Sequence, residues 1–311
     1  MNNDHTVLIA ISEFAKASKE PLELLKKEGF NIIFNDTGYE LKPNNYNKYF
    51  SNAQYIVAGL ENYNLSFFEK FKNVKVISRV GIGLDSIDLN SAKKYGVKIY
   101  NTPDAPSKAV AELTIGLIIS LNRRIIDMHS SFMRGRWSPI LGKQIDGQTL
   151  GIIGLGRIGK LVAATASSMG MKILAYDNSK NLRFSSKYKI QYCSLSKLLT
   201  SSDVITIHLP LNDETFHLID QKDLNQIKKD GIIINTSRGG IINDKALANQ
   251  INQGHFYGVA LDVYEEEGNP NFYNELPRTI LLPHVGSNAD KSRIDMEVGA
   301  VNNIIKYYRS L

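Results

Sequence analysis

The chain predicts an α/β protein built from two doubly wound parallel-sheet domains, and three observations carry that prediction. Its 311 residues exceed what one core usually organises, because single cores stop growing near about 250 to 300 residues. Short β-branched runs alternate with helical stretches along the whole length, the pattern of strands joined by helical crossovers. The alternation is interrupted once, by a long apolar helix, which splits the runs into two series. No repeat of 20 to 50 residues and no low-complexity tract competes with this reading.

The first series places buried parallel strands at 7–12, 31–35, 55–58, 74–79 and 98–100, with helices at 21–28 and 64–70 between them. A helix at about 107–124 follows, apolar nearly all round from Val110 to Ile119, as expected of a bridge buried between layers. The second series has six strands, at 150–153, 172–176, 204–208, 231–235, 258–262 and 279–282. A last helix, 291–308, carries apolar residues at Ile294, Val298, Val301, Ile304 and Ile305. It has no strand of its own to cover, so it is expected to return to the first domain and make that domain discontinuous.

Composition narrows the function classes. Hydrophobic residues at 43%, charged residues at 22% and a mean hydropathy of -0.20 are those of a folded globular chain, not a disordered or fibrous one. No uncharged apolar stretch approaches a membrane span, and the amino end, Met1–His5, lacks a basic and then apolar leader; neither secretion nor membrane insertion is expected. Cys193 is the only cysteine, so no intrachain disulfide or cysteine zinc cluster can form and a reducing, cytoplasmic compartment is expected, with no metal. The net charge is +6, but the basic residues are scattered in pairs such as Lys26–Lys27 and Arg123–Arg124. That favours a small anionic ligand over nucleic acid.

One motif points to a cofactor. Gly154-Leu155-Gly156-Arg157-Ile158-Gly159 follows a predicted strand directly and opens a helix at 157–169. Glycines there let the backbone approach a pyrophosphate, and the helix N-terminus offers free N–H groups. Asp177 ends the next strand, where a carboxylate would accept from the adenosine ribose hydroxyls and repel a 2′-phosphate. NAD is therefore expected in preference to NADP.

Three further segments end predicted strands: Ile234-Asn235-Thr236-Ser237-Arg238-Gly239-Gly240, then 261–267 with Asp262 and the run Glu265-Glu266-Glu267, then Leu282-Pro283-His284-Val285-Gly286-Ser287. Together with 78–85 (Ser-Arg-Val-Gly-Ile-Gly-Leu-Asp) and 101–105 (Asn-Thr-Pro-Asp-Ala), they make the chain resemble the NAD-dependent D-isomer-specific 2-hydroxyacid dehydrogenases, phosphoglycerate dehydrogenase-like branch. The resemblance runs from about Val74 to His284; residues 1–70 match only in pattern. It implies a flavodoxin-like substrate domain (1–100 plus 288–311) and a Rossmann NAD domain (101–287), with a cleft between them.

The resemblance also implies roles. Arg238 would bind the substrate carboxylate and C2 oxygen with its planar fork, and His284 would give and take the proton. Glu267 would pair with that histidine, although the three consecutive glutamates leave the register open by one. Arg79 and the backbone amides of Ile82 and Gly83 would bind the carboxylate. Arg157 and Ile158 would lie near the pyrophosphate, His208, Pro210 and Thr215 near the adenosine, and Thr236, Asp262 and Gly286 near the nicotinamide. Residues 121–147 resemble a dimerisation arm, implying a homodimer. Trp137 and Cys193 read as core or interface residues.

The substrate is less determined. Phosphoglycerate-specific members carry arginines after the strand equivalent to 55–58, where this chain has Gly59-Leu60-Glu61-Asn62. A glutamate there is expected to oppose a phosphate unless Arg79, Arg134, Arg136 or Lys143 supplies the charge. With the sequence ending at Leu311, the regulatory domain of serine-sensitive members, and control by serine, are not expected. Formate dehydrogenases pair the histidine with glutamine instead. A 3-phosphoglycerate dehydrogenase-like activity is the first expectation and glyoxylate or hydroxypyruvate reduction the second. An NAD(H)-sensing corepressor that keeps the fold is the alternative from a different class.

Overall fold

A computed structural model describes residues 5–267, 273 and 276–311; the amino-terminal reading at Met1–Asp4 lies outside them. The chain divides into two compact units, Met1–Pro106 with Ser287–Leu311, and Ser107–Gly286. The changes of unit fall at 106 and 286, against the expected 100 and 287.

The first unit opens with β1 (Thr6–Ile9), α1 (Glu20–Lys27), β2 (Asn31–Phe34), α2 (Tyr46–Phe50), β3 (Tyr55–Ala58), α3 (Leu65–Lys70), β4 (Val76–Arg79), α4 (Leu89–Lys94) and β5 (Lys98–Tyr100). All five strands are parallel, in the order β2-β1-β3-β4-β5. Alternate residues supply two cores, as the two-residue period of a strand requires. Leu8, Ile56 and Ile77 face an aromatic layer of Tyr46, Phe50, Phe67 and Phe68, whereas Val7, Ile9, Tyr55 and Val57 face the other side. The short helices α2 and α4 carry too few residues to show a helical period and are absent from the sequence expectation.

The second unit contains α5 (Ser107–Asn122), α6 (Ile125–Met133), β6 (Thr149–Ile153), α7 (Arg157–Ser168), β7 (Lys172–Tyr176), α8 (Leu182–Lys187), β8 (Gln191–Tyr192), α9 (Leu195–Ser201), β9 (Val204–Ile207), α10 (Gln221–Leu224), β10 (Ile232–Asn235), α11 (Asp244–Asn252), β11 (Gly258–Leu261) and β12 (Thr279–Leu281). Its parallel sheet has seven strands rather than the expected six, in the order β12-β11-β10-β9-β6-β7-β8. The extra strand β8 has two residues, beyond the reach of any periodicity. The order reverses between β6 and β9, and ligands of such sheets bind outside the carboxyl ends of the strands at that switch point. Helix α5 packs on α7, β10 and β11 within this unit and stops at Asn122, just before the left-handed Arg124 (φ 54°).

Helix α12 (Asp290–Tyr308) belongs to the first unit and packs on α1, β3 and β4. Its buried stripe is Met296, Ala300, Val301, Ile304 and Ile305, while Ile294 and Val298 are only partly buried. The stripe thus shares Val301, Ile304 and Ile305 with the expected one and has Met296 and Ala300 in place of Ile294 and Val298. No helix among the described residues is long and apolar enough to cross a membrane.

Candidate active site

The glycine motif closes the turn between β6 and α7, and each glycine has its own reason. Gly154 has φ +95°, and a Cβ there would meet the His208 carbonyl at 2.5 Å; at Gly159 it would meet the Gly154 carbonyl at 2.1 Å. At Gly156 a Cβ would face open space. Gly156 is also the N-cap of α7 and makes no side-chain cap, so the helix presents its first amides outward. The turn fits a pyrophosphate for these reasons.

Asp177, just after β7, accepts from Leu155 N–H at 2.7 Å through Oδ2 and from Ser179 N–H at 2.6 Å through Oδ1. Its carboxylate therefore braces the glycine turn, and it lines a cavity of about 550 Å³ with Leu155, Gly156, Lys160, Lys180 and Leu182. Arg157 is exposed at the start of α7, and Ile158 packs against the core. Farther along, His208 Nε2 lies 3.1 Å from Thr206 Oγ1 while Nδ1 is enclosed, and burial pushes the imidazole down to about 3. It is neutral near pH 7. Thr215 Oγ1 donates to the Pro210 carbonyl at 2.7 Å and closes the exposed loop that carries both. Thr236 is buried, its hydroxyl 3.0 Å from that of Thr114 in α5.

The three loops expected to carry the chemistry all rest on residues 262–265. Arg238 is partly buried after β10 and donates from Nη1 to the Ser237 carbonyl at 2.7 Å, while Asn235 Nδ2 donates to the Arg238 carbonyl at 2.8 Å. The next residue, Gly239, lies flat against the Tyr264 backbone, where a Cβ would fall 1.8 Å from the Tyr264 carbonyl oxygen. Asp262 at the end of β11 accepts from Val285 N–H at 2.8 Å and Gly286 N–H at 2.7 Å. Those two bonds hold the turn containing His284, whose φ of +54° is a conformation that a residue with a Cβ keeps only when its surroundings enforce it. Burial raises the Asp262 carboxyl, and the two amide bonds work against that rise.

His284 Nδ1 stands 3.2 Å from Glu267 Oε2, with both side chains partly open to solvent. A carboxylate can only accept, so Nδ1 carries the proton and Nε2 is left for a substrate. Glu265 faces elsewhere: its Oε1 is 3.0 Å from His217 Nε2 and accepts from Asp244 N–H at 2.9 Å. Of the glutamate run, Glu267 thus stands beside His284 and Glu265 beside His217. His217 and Asp244 were invisible to motif reading, because nothing in their own neighbourhoods in the sequence points to the loop they hold.

In the first unit, Arg79 ends β4 and its Nη1 donates to the Val80 carbonyl, with the guanidinium packed over Gly81 (φ +135°). Gly81 N–H donates to Thr102 Oγ1 at 2.8 Å, and the Ile82 carbonyl accepts from Asn101 Nδ2 at 2.7 Å. The segment 101–105 thus fixes the loop bearing Ile82 and Gly83. Glu61 corrects an expectation. It is 1% exposed, accepts from Gly59 N–H at 2.8 Å and Tyr63 Oη at 3.1 Å, and its carboxyl is raised by burial. It points inward, so it presents no charge to oppose a phosphate; what the 59–62 loop exposes is Leu60 and Asn62.

The profile of the D-isomer specific 2-hydroxyacid dehydrogenases, NAD binding domain, matches residues 115–286. The chain belongs to that family. The dehydrogenase is 37% identical to a hydroxypyruvate reductase of Thermotoga maritima over 76% of this chain and 79% of that protein. It is 33% identical to a glyoxylate reductase of Korarchaeum cryptofilum over 78% of this chain and 75% of that protein. A D-3-phosphoglycerate dehydrogenase of Methanocaldococcus jannaschii is 38% identical, over 72% of this chain but 44% of that protein. Among solved structures, D-lactate dehydrogenase from Aquifex aeolicus in complex with NAD and lactic acid superposes with a TM-score of 0.86 at 27% identity, covering 98% of this chain and 96% of that one. The dehydrogenase uses NAD and interconverts 2-hydroxy and 2-oxo acids.

Beyond the active-site loops, the segment 121–147 departs from a core reading. Helix α6 buries none of its residues, and Phe132, Met133, Trp137 and Leu141 are exposed, Trp137 at 87%. Trp137 is therefore no core residue. Cys193 is partly buried against the sheet core.

Proposed function

We propose that the dehydrogenase reduces a small unphosphorylated 2-oxo acid, glyoxylate or hydroxypyruvate, with NADH. What supports this over the phosphoglycerate reading is the 59–62 loop, which follows β3 with no cationic side chain to pair with a phosphate. The names of the relatives matched over most of their length lean the same way.

The chemistry needs an anion clamp and a proton donor. Arg238 holds the substrate carboxylate and polarises the C2 oxygen, since a fixed, permanently charged fork suits both. The amides of Ile82 and Gly83, with Arg79, supply a second carboxylate contact. NADH supplies the hydride. His284 Nε2 delivers a proton to the developing alkoxide, and Glu267 holds the ring in the required tautomer and stabilises its protonated form. Gly154, Gly156, Arg157, Ile158 and Gly159 cradle the pyrophosphate, Asp177 receives the ribose, and His208, Pro210 and Thr215 border the adenosine. Thr236, Asp262 and Gly286 shape the nicotinamide end. The exposed apolar residues of the 121–147 arm mate with a second copy, giving a homodimer.

The deciding measurement is NADH oxidation with glyoxylate, hydroxypyruvate, pyruvate and phosphohydroxypyruvate. The proposal expects kcat/KM for glyoxylate or hydroxypyruvate to exceed that for phosphohydroxypyruvate. The reverse order would restore the phosphoglycerate reading, and no turnover with any of them would favour a corepressor-like binding protein.

A further inference from the structure

We propose that Asp244 and Glu265 are positioning residues for the acid/base pair, an inference that rests on reading His284 and Glu267 as that pair. The two acids are reciprocally clasped. Asp244 N–H donates to Glu265 Oε1 at 2.9 Å, and Glu265 N–H donates to Asp244 Oδ2 at 3.0 Å. This ties the loop after β11 to the first turn of α11. Tyr273 Oη donates to Asp244 Oδ1 at 2.9 Å, and His217 Nε2 lies 3.0 Å from Glu265 Oε1. The clasp therefore draws on two other stretches of chain.

Bringing two carboxylates together is unfavourable, and Asp244 is only 6% exposed, so burial raises its carboxyl. The arrangement has local compensation: Asp244 is the first residue of α11, where the helix dipole favours an acid, and His217 stands at the same Glu265 oxygen that accepts from Asp244 N–H. His217 adopts φ +49° to reach it and stacks on Phe216 with ring centroids 4.0 Å apart. Strain, a buried acid and an acid pair converge on one short segment. What the segment carries is Glu267, two residues on, whose half-exposed carboxylate pairs with His284. The same segment lies against Gly239, next to Arg238. Locking residues 264–265 thus sets the aim of Glu267 and the seat of the Arg238 loop together. The groups facing the pair are Asp262 beside His284 and Glu267, with His217 and the Tyr273 hydroxyl beside the clasp.

The test compares Glu265→Gln, Asp244→Asn, Tyr273→Phe and Glu267→Gln in the full-length protein, using whichever 2-oxo acid it reduces fastest. Glu265→Gln and Asp244→Asn should each lower kcat about tenfold, since a misaimed group of this kind costs up to about 10²-fold. They should also move the alkaline limb of the kcat–pH profile for reduction about half a unit lower, because a misplaced carboxylate stabilises the protonated imidazole less. The Kd for NADH, read by fluorescence, should stay within about twofold. Tyr273→Phe removes one donor only and should act in the same direction by less, which keeps the test available if a clasp variant does not fold. If Glu267→Gln moves the limb while folded Glu265→Gln and Tyr273→Phe keep both kcat and the limb of the parent, the clasp is merely structural and the proposal is wrong. If Glu267→Gln leaves the limb in place, the acid/base reading fails and takes this inference with it.

Discussion

Glu267 Oε2 stands 3.2 Å from His284 Nδ1, while the glutamate two residues earlier, Glu265, is turned to His217 at 3.0 Å. In an extended loop, residues two apart share a face, so the divergence requires the loop to bend between them. Asp244 and the backbone of Gly239 impose the bend by gripping residues 264 and 265.

Replacing His284 by alanine removes the proposed proton donor and leaves the glycine turn and Asp177 untouched. Turnover should fall by about 10² to 10⁴-fold, the usual contribution of a positioned acid/base. Fluorescence titration should show NADH binding within about threefold of the parent, since a residue acting in the transition state contributes little to cofactor affinity. A variant retaining most of its turnover would mean that the proton comes from elsewhere.

Asp177 has two tasks, and a substitution there separates them. As a carboxylate it opposes a 2′-phosphate, so the parent should prefer NADH to NADPH by at least about tenfold in kcat/KM. As an acceptor it holds Leu155 N–H at 2.7 Å. Asp177→Ser should therefore narrow the preference and also raise the KM for NADH, because the glycine turn loses its brace. Unchanged NADH kinetics alongside better NADPH use would show that the brace is unimportant.

Acid should weaken the second unit through His208. Burial holds its imidazole at about 3 in the folded state, against about 6.5 in an unfolded chain. Between those values the unfolded state binds one more proton, so the associated stability is complete above about pH 6.5 and is lost as pH falls toward 3. At pH 5 the loss is about 2 kcal/mol. His208→Gln cannot titrate and should lose less Tm than the parent between pH 7.5 and 5. Equal losses would mean that the ring becomes hydrated and protonates without unfolding.

The arm predicts assembly. Trp137 is 87% and Leu141 95% exposed, and Phe132 lies 5.9 Å from Trp137 in an edge-on contact. Aromatic anchors of this kind carry about 2 kcal/mol or more each at interfaces. Light scattering should give twice the chain mass for the parent, and Trp137→Ala with Leu141→Asp should shift it to the single-chain mass at micromolar concentration. A monomeric parent would leave the arm for another partner.

Much of this protein was written in short-range patterns. A parallel strand buried on both faces reads as a continuous apolar run, and 55–58 coincides with β3 residue for residue; 98–100 and 172–176, partly exposed, coincide with β5 and β7 as well. The glycine turn was equally legible, because a backbone crowded to 2.5 Å or less excludes any side chain and leaves its mark in residue type. The resemblance carried by the segments at strand ends points to Arg238, Glu267 and His284. Their contacts were another matter.

Tertiary structure decided whatever depends on which way a side chain turns. The run of glutamates contains three chemically identical carboxylates, and only the grip of Asp244, distant in sequence, aims one at His284 and another at His217. Glu61 reads as an exposed acid until Gly59 N–H and Tyr63 Oη are seen to draw it inside. Helix α12 shows its apolar spacing in sequence, but that Met296 and Ala300 are buried and Ile294 and Val298 only partly so is decided by its packing on α1, β3 and β4. Periodicity and backbone crowding are local and survive in the order of residues, whereas the direction of a hydrogen bond is set by partners that folding alone brings within 3 Å.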